Sequence, residues 1–256
     1  MIELKNFNIA LGKKYVVNNI TASFGGNNVI IGPNGAGKTM LLKGMLGLVD
    51  YTGNCEINGN ESSSIRNMVN TSFNLPEIYR LTRNVKDIVT IYSELKGKDV
   101  STVYTVLDEF NLKGILDKNI DELSTGQEKL LCNILALSCG ARTILLDEPF
   151  DNIDYGRRIK LLEWFNKLDA EIIMNTHEFE ILKQMKNYGL YFLIDGIMSP
   201  EFSTSQIEKL YLNQELNDDS LWDIKNGKHT FSITENDGEI RLIDLPGFDY
   251  ITGDGL

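Results

Sequence analysis

The sequence is poor in cysteine, histidine and proline, carries an excess of acid over base, and has no long apolar run. Each shortage removes a class of protein. Its three cysteines, Cys55, Cys132 and Cys139, are odd in number and fit no zinc-ligand spacing. Two of them lie seven apart on an apolar helical face, so all three read as reduced core thiols rather than a disulfide framework or a metal set. The formal net charge of -11 leaves no basic stripe. Nucleic-acid affinity is carried by clustered Lys and Arg, so no nucleic-acid partner is expected. Nothing approaches the roughly 20 consecutive apolar residues that a membrane-spanning helix needs. The opening "MIELKNFNIALGKK" lacks a basic head followed by an apolar stretch, so a cytoplasmic chain is expected.

What is present is an ordinary globular composition in 256 residues, enough for one large domain and a small appendage around a well-buried core. The first sixty residues read as short strands, "IELKNFNI", "YVVNNITASF", "NNVIIG" and "GNCEING", interrupted by one helix, "KTMLLKGMLGL". From about 76 to 135 the apolar spacing turns helical in "VKDIVTIYSEL", "VYTVLDEFNL" and "EKLLCNILAL". "RTILLDEP" and "EIIMNTHE" then flank the helix "GRRIKLLEWFNKL", the alternation of a parallel sheet whose functional residues gather at strand ends. "YGLYFLIDGIMSP" adds a strand pair. Beyond 203 we expect a short helix, "SQIEKLYLNQEL", further strands and a Gly- and Asp-rich end. From 215 to 256 there are ten acids and three basic residues, which marks a small acidic appendage.

The strongest chemical signal is "GPNGAGKT" at 32 to 39, which follows a strand and opens a helix. Gly32, Gly35 and Gly37 let the loop backbone, Pro33, Asn34 and Ala36 included, wrap a phosphate chain with the N–H groups of its non-proline residues inward. Lys38 then neutralises phosphate charge and Thr39 offers a hydroxyl to Mg²⁺. "TILLDEP" delivers Asp147 to a strand end, where an acid can serve the metal, and Glu148 beside it can serve an attacking water. His177 ends the next strand and is expected to contact the γ-phosphate or water. "LSTGQ" at 123 to 127 stands where a helix should begin. Ordinary capping by Ser124 or Thr125 and anion binding by the free N–H groups are both open for it.

Taken together and in this order, these motifs resemble the nucleotide-binding subunit of an ABC ATPase over roughly residues 1 to 200. "GPNGAGKT" resembles the Walker A motif, "LSTGQ" the signature motif, "ILLDEP" the Walker B strand with catalytic Glu148, "FDNID" the D-loop ending in Asp154, and His177 the switch histidine. The resemblance implies an α/β fold: a P-loop core with a parallel sheet, an N-terminal antiparallel β lobe, a helical insertion at about 76 to 135 within a nucleotide-binding domain at 1 to 202, and an appendage at 203 to 256. It implies MgATP bound by residues 32 to 39 and Met40, with Tyr15 or Leu11 against the adenine and Thr39, Asn74 and Asp147 at the metal. Asn74 stands where the family usually has Gln. The resemblance further implies a head-to-tail homodimer, or a heterodimer with a related ATPase subunit, in which Ser124, Thr125, Gly126 and Gln127 act in trans. ATP hydrolysis would drive substrate through separate integral membrane subunits, with the chain peripheral on the cytoplasmic face. A soluble ABC ATPase of a macromolecular assembly, such as iron–sulfur cluster assembly, is the alternative.

Overall fold

A computed structural model describes residues 1–64, 69–79, 81–226, 229–245 and 247; the side chains of Ile78, Asn226 and His229 are also outside the description, as is most of the Gly- and Asp-rich end. The fold is mixed α/β. The chain divides into two compact units, Met1–Ser64 with Asn175–Leu256, and Ile65–Met174.

In the first unit β1 (Ile2–Leu11) and β2 (Lys14–Phe24) form an antiparallel hairpin whose tip is Gly12 and Lys13. Gly12 has φ +63°, a conformation that the missing Cβ makes accessible. The four residues of β3 (Asn28–Ile31) are all buried, as expected for a strand covered on both faces. After α1 (Lys38–Met45), β4 (Thr52–Ile57) extends the antiparallel lobe against β1, and β5 (Asn60–Glu61) pairs with β4.

The second unit holds β6 (Thr71–Phe73), α2 (Pro76–Tyr79), α3 (Val85–Leu95), α4 (Val100–Glu109) and α5 (Thr125–Ser138). It continues with β7 (Thr143–Asp147), α6 (Tyr155–Lys167) and β8 (Glu171–Thr176), whose last two residues belong to the first unit. β6 runs parallel to β7, with Phe73 opposite Leu145. Helix starts follow the capping chemistry: Asn84 Oδ1 accepts from the N–H of Lys86 at 2.8 Å, and Asp99 Oδ1 from that of Ser101 at 2.9 Å. From Leu130 to Ser138, α5 is buried on every side, which is why its apolar text runs nearly unbroken.

The first unit resumes with β9 (Gly189–Ile194), parallel to β3, then β10 (Ile197–Met198) and β11 (Phe202–Ser203), both antiparallel to β9. Past this point the expected helix at "SQIEKLYLNQEL" is corrected. A 3-10 segment covers Thr204–Lys209, and β12 (Leu210–Asn213) follows as a strand. Leu210 and Leu212 are fully buried on alternate positions, and β12 pairs with β14 (His229–Glu235) and β15 (Ile240–Arg241), while β13 (Trp222–Asn226) pairs with β14. Sheet pairing overrides a local pattern that also suits a helix. The small sheet is anchored to the rest of its unit where the Trp222 ring stacks on Phe192 at 6.3 Å between centroids.

Candidate active site

In the first unit, residues 32 to 37 leave β3 and enter α1 as a tight backbone loop. Lys38 is buried, and its ammonium donates to the carbonyls of Gly32 at 2.8 Å and Pro33 at 3.1 Å, so the loop's own backbone holds the charge in place. Two glycines are required by close approach. A Cβ on Gly32 would run into the carbonyl oxygen of Leu193, and one on Gly37 into that of Val16. Gly37 also has φ +101°, a left-handed position that side chains avoid. Asn34 and Gly35 are exposed at the loop crest, Ala36 is buried, and Thr39 and Met40 are half-buried in the first turn of α1. A cradle from which Cβ atoms are excluded, with a pre-aimed ammonium and a hydroxyl behind it, fits a nucleotide phosphate chain and an oxygen-ligated divalent cation.

Tyr15 and Leu11 lie at the hairpin tip, each 57 % exposed. The Val16 carbonyl against Gly37 brings the strand that carries Tyr15 directly beside the loop. At the other side, the N–H of Gly32 donates to the carbonyl of Thr176 at 3.4 Å, so half-buried His177 emerges next to the loop's first residue. Gly247 reaches the same place: a Cβ on it would stand 3.3 Å from the His177 carbonyl oxygen.

In the second unit, Asp147 ends β7 and Glu148 follows at φ +42°, in the left-handed region that a residue with a Cβ enters only when its surroundings hold it there. Both are half-buried. Ser124 caps α5: its Oγ accepts from the N–H of Gln127 at 3.3 Å, while Gln127 Oε1 accepts from the N–H of Ser124 at 3.1 Å. Thr125 is exposed beside them. Gly126 has its own packing reason, since a Cβ there would run into the carbonyl oxygen of Asn152. Asp154 caps α6 through the N–H of Arg157 at 3.1 Å and forms an ion pair with the Arg157 guanidinium at 3.2 Å.

Asn74 has partners of its own within the second unit. It is completely buried, its Nδ2 donates to Asn133 Oδ1 at 2.7 Å and to the Asp147 carbonyl at 3.1 Å, and its Oδ1 accepts from the Asp147 N–H at 2.7 Å. An amide engaged in this way fastens a strand end. The sequence reading missed Asn133, whose place in an otherwise apolar buried run was the one available signal.

The family model for the ABC transporter matches residues 18–151. The lantibiotic transport ATP-binding protein SrtF of Streptococcus pyogenes is 24 % identical over 226 residues, spanning 84 % of this chain and 98 % of the relative. The energy-coupling factor transporter ATP-binding protein EcfA1 of Thermotoga maritima is 29 % identical over 195 residues, with 72 % of this chain and 75 % of the relative covered. Among solved structures, a putative cobalt transport ATP-binding protein, cbiO-2, superimposes with a TM-score of 0.89 at 35 % identity, covering 99 % of both chains. Fold, phosphate loop and family match together place this chain in the ABC transporter family, as an ATP-binding subunit with ATPase activity.

Proposed function

We infer that the chain hydrolyses MgATP within a head-to-tail dimer and uses the closure of that dimer to drive transport through separate integral membrane subunits, docked on their cytoplasmic face. The observation that carries this reading is the Lys38 ammonium seated on the Gly32 and Pro33 carbonyls inside a loop that excludes Cβ atoms. Such a loop offers backbone N–H groups and fixed positive charge to the phosphates of ATP.

The roles follow the chemistry of each side chain. Lys38 takes up charge on the β- and γ-phosphates, Thr39 and Asp147 are the oxygen donors for the cation, and Tyr15 stacks on the base. Mg²⁺, when bound, neutralises charge developing on the transferred phosphoryl group. Glu148 orients the attacking water and accepts its proton, and His177 steadies the γ-phosphate. Ser124, Gly126 and Gln127, at the start of α5, act on the nucleotide of the other subunit, and a two-fold axis repeats that contact at the second site. Asp154 belongs to the same dimer face. The relatives' names refer to different cargoes, lantibiotic and cobalt among them, so cargo choice is assigned to the membrane partner.

The test is affinity capture from native cells, with membrane and soluble fractions analysed separately by mass spectrometry. Recovery of a polytopic membrane protein is expected. Recovery of soluble partners alone would overturn the transport reading in favour of an assembly ATPase.

A further inference from the structure

We propose that Asn74 and Asn133 are positioning residues: a buried pair of amides that holds Glu148 in its left-handed conformation by fastening backbone groups of the residues before and after it, Asp147 and Pro149. The inference rests on Glu148 as the residue that orients the water.

Three observations carry it. β6 stops at Phe73, opposite Leu145, because the chain turns away towards Leu75 and Pro76. Beyond that point the Asn74 side chain replaces the missing backbone. Its amide meets both the N–H of Asp147 at 2.7 Å and the carbonyl of the same residue at 3.1 Å, the pairing a neighbouring strand would make. Asn133, joined to Asn74 at 2.7 Å, donates its Nδ2 to the Pro149 carbonyl, also at 2.7 Å. The residue before Glu148 and the residue after it are thus tied to one amide pair, while Glu148 itself sits at φ +42°.

Both asparagines are completely buried, and Asn133 interrupts an apolar helix where a leucine would pack without needing partners. Burying an amide is unfavourable unless its hydrogen bonds are met, so two in contact are costly as mere filler and useful where geometry must be fixed. Lys129, one turn earlier on α5, donates to the Asp147 carbonyl at 3.0 Å, so the same helix face braces the turn twice. That helix begins at Ser124, and the pair therefore ties the carboxylate that handles water to the helix proposed to reach the other subunit's ATP.

The experiment uses the full chain with Asn133→Leu and Asn74→Leu, singly and together, beside wild type and Glu148→Gln. Nucleotide-binding stoichiometry and affinity are measured first, and hydrolysis is expressed per binding-competent site. We expect kcat to fall by about tenfold to a hundredfold in each single variant, the scale of a small misplacement of a reacting group, with ATP affinity changed by less than about threefold. The double variant should lose little more than either single one, because both act through one turn. A kcat per competent site within about twofold of wild type in both single variants would overturn the proposal while leaving the ATPase reading intact. If wild type and Glu148→Gln hydrolyse ATP equally slowly, the role given to Glu148 fails instead. Hydrogen exchange over residues 145–151 then decides the pair: faster exchange in the variants supports the clamp, and unchanged exchange overturns it.

Discussion

The ammonium of Lys38 leans on carbonyls of its own loop, so its charge is aimed before any phosphate arrives. Lys38→Ala should weaken ATP binding at least about tenfold, the loss of a charge-assisted contact of roughly 1.5–3 kcal/mol, in a titration with a fluorescent ATP analogue. Unaltered binding would remove Lys38 from the site. Cys55 tests the reading of cysteines as core residues. Burial pushes its thiol up to about 12 from an ordinary 9.0. Because the folded value is raised, the stability it contributes is complete below pH 9.0 and is lost as pH climbs from there towards 12. Iodoacetamide at pH 8 should therefore leave Cys55 unlabelled in the native protein and label it after denaturation; rapid native labelling would contradict its burial. Lys38 and Glu148 are legible in the sequence because motif and strand context fix their places. Asn74 is not, because what decides its role is the set of partners that burial gives it, and a three-residue strand leaves no pattern from which to read burial.

At the scale of elements, α5 brings capping and anion binding to one place. Ser124→Asp separates them, since Asp caps as well as Ser but carries a negative charge. The variant should keep its melting temperature within a few degrees and lose ATP hydrolysis; full activity would mean that Ser124 merely caps. Gly126→Ala should lower activity and melting temperature together, because the added Cβ meets the backbone carbonyl of Asn152 rather than a side chain able to move aside. Scanning calorimetry beside an ATPase assay would show it, and an unchanged melting temperature would contradict the close packing. β7 and β8 are readable in advance as short apolar runs that end in polar residues, and β3 as one that ends at the glycine loop, the pattern of strands buried on both faces. The stretch 204–213 misleads because Ile207, Leu210 and Leu212 suit a helix nearly as well as a strand, and pairing with the distant β14 and β15 decides the matter.

At the scale of the molecule, the proposed chemistry needs two copies of the chain. Ser124, Gly126 and Gln127 have local duties in the single chain, and their proposed contact with ATP lies across a two-fold axis. No helix among the described residues is long and apolar enough to cross a membrane. The proposed transport requires a conformational change passed to other chains. Such a change is driven only if ATP favours the closed pair over the open one. The dimer is tested by weighing Glu148→Gln in solution, by light scattering after size exclusion, with and without saturating ATP and Mg²⁺. A monomer is expected without nucleotide and a dimer of twice the mass with it, reversed when nucleotide is removed. A variant that binds ATP and remains monomeric would contradict the head-to-tail sandwich.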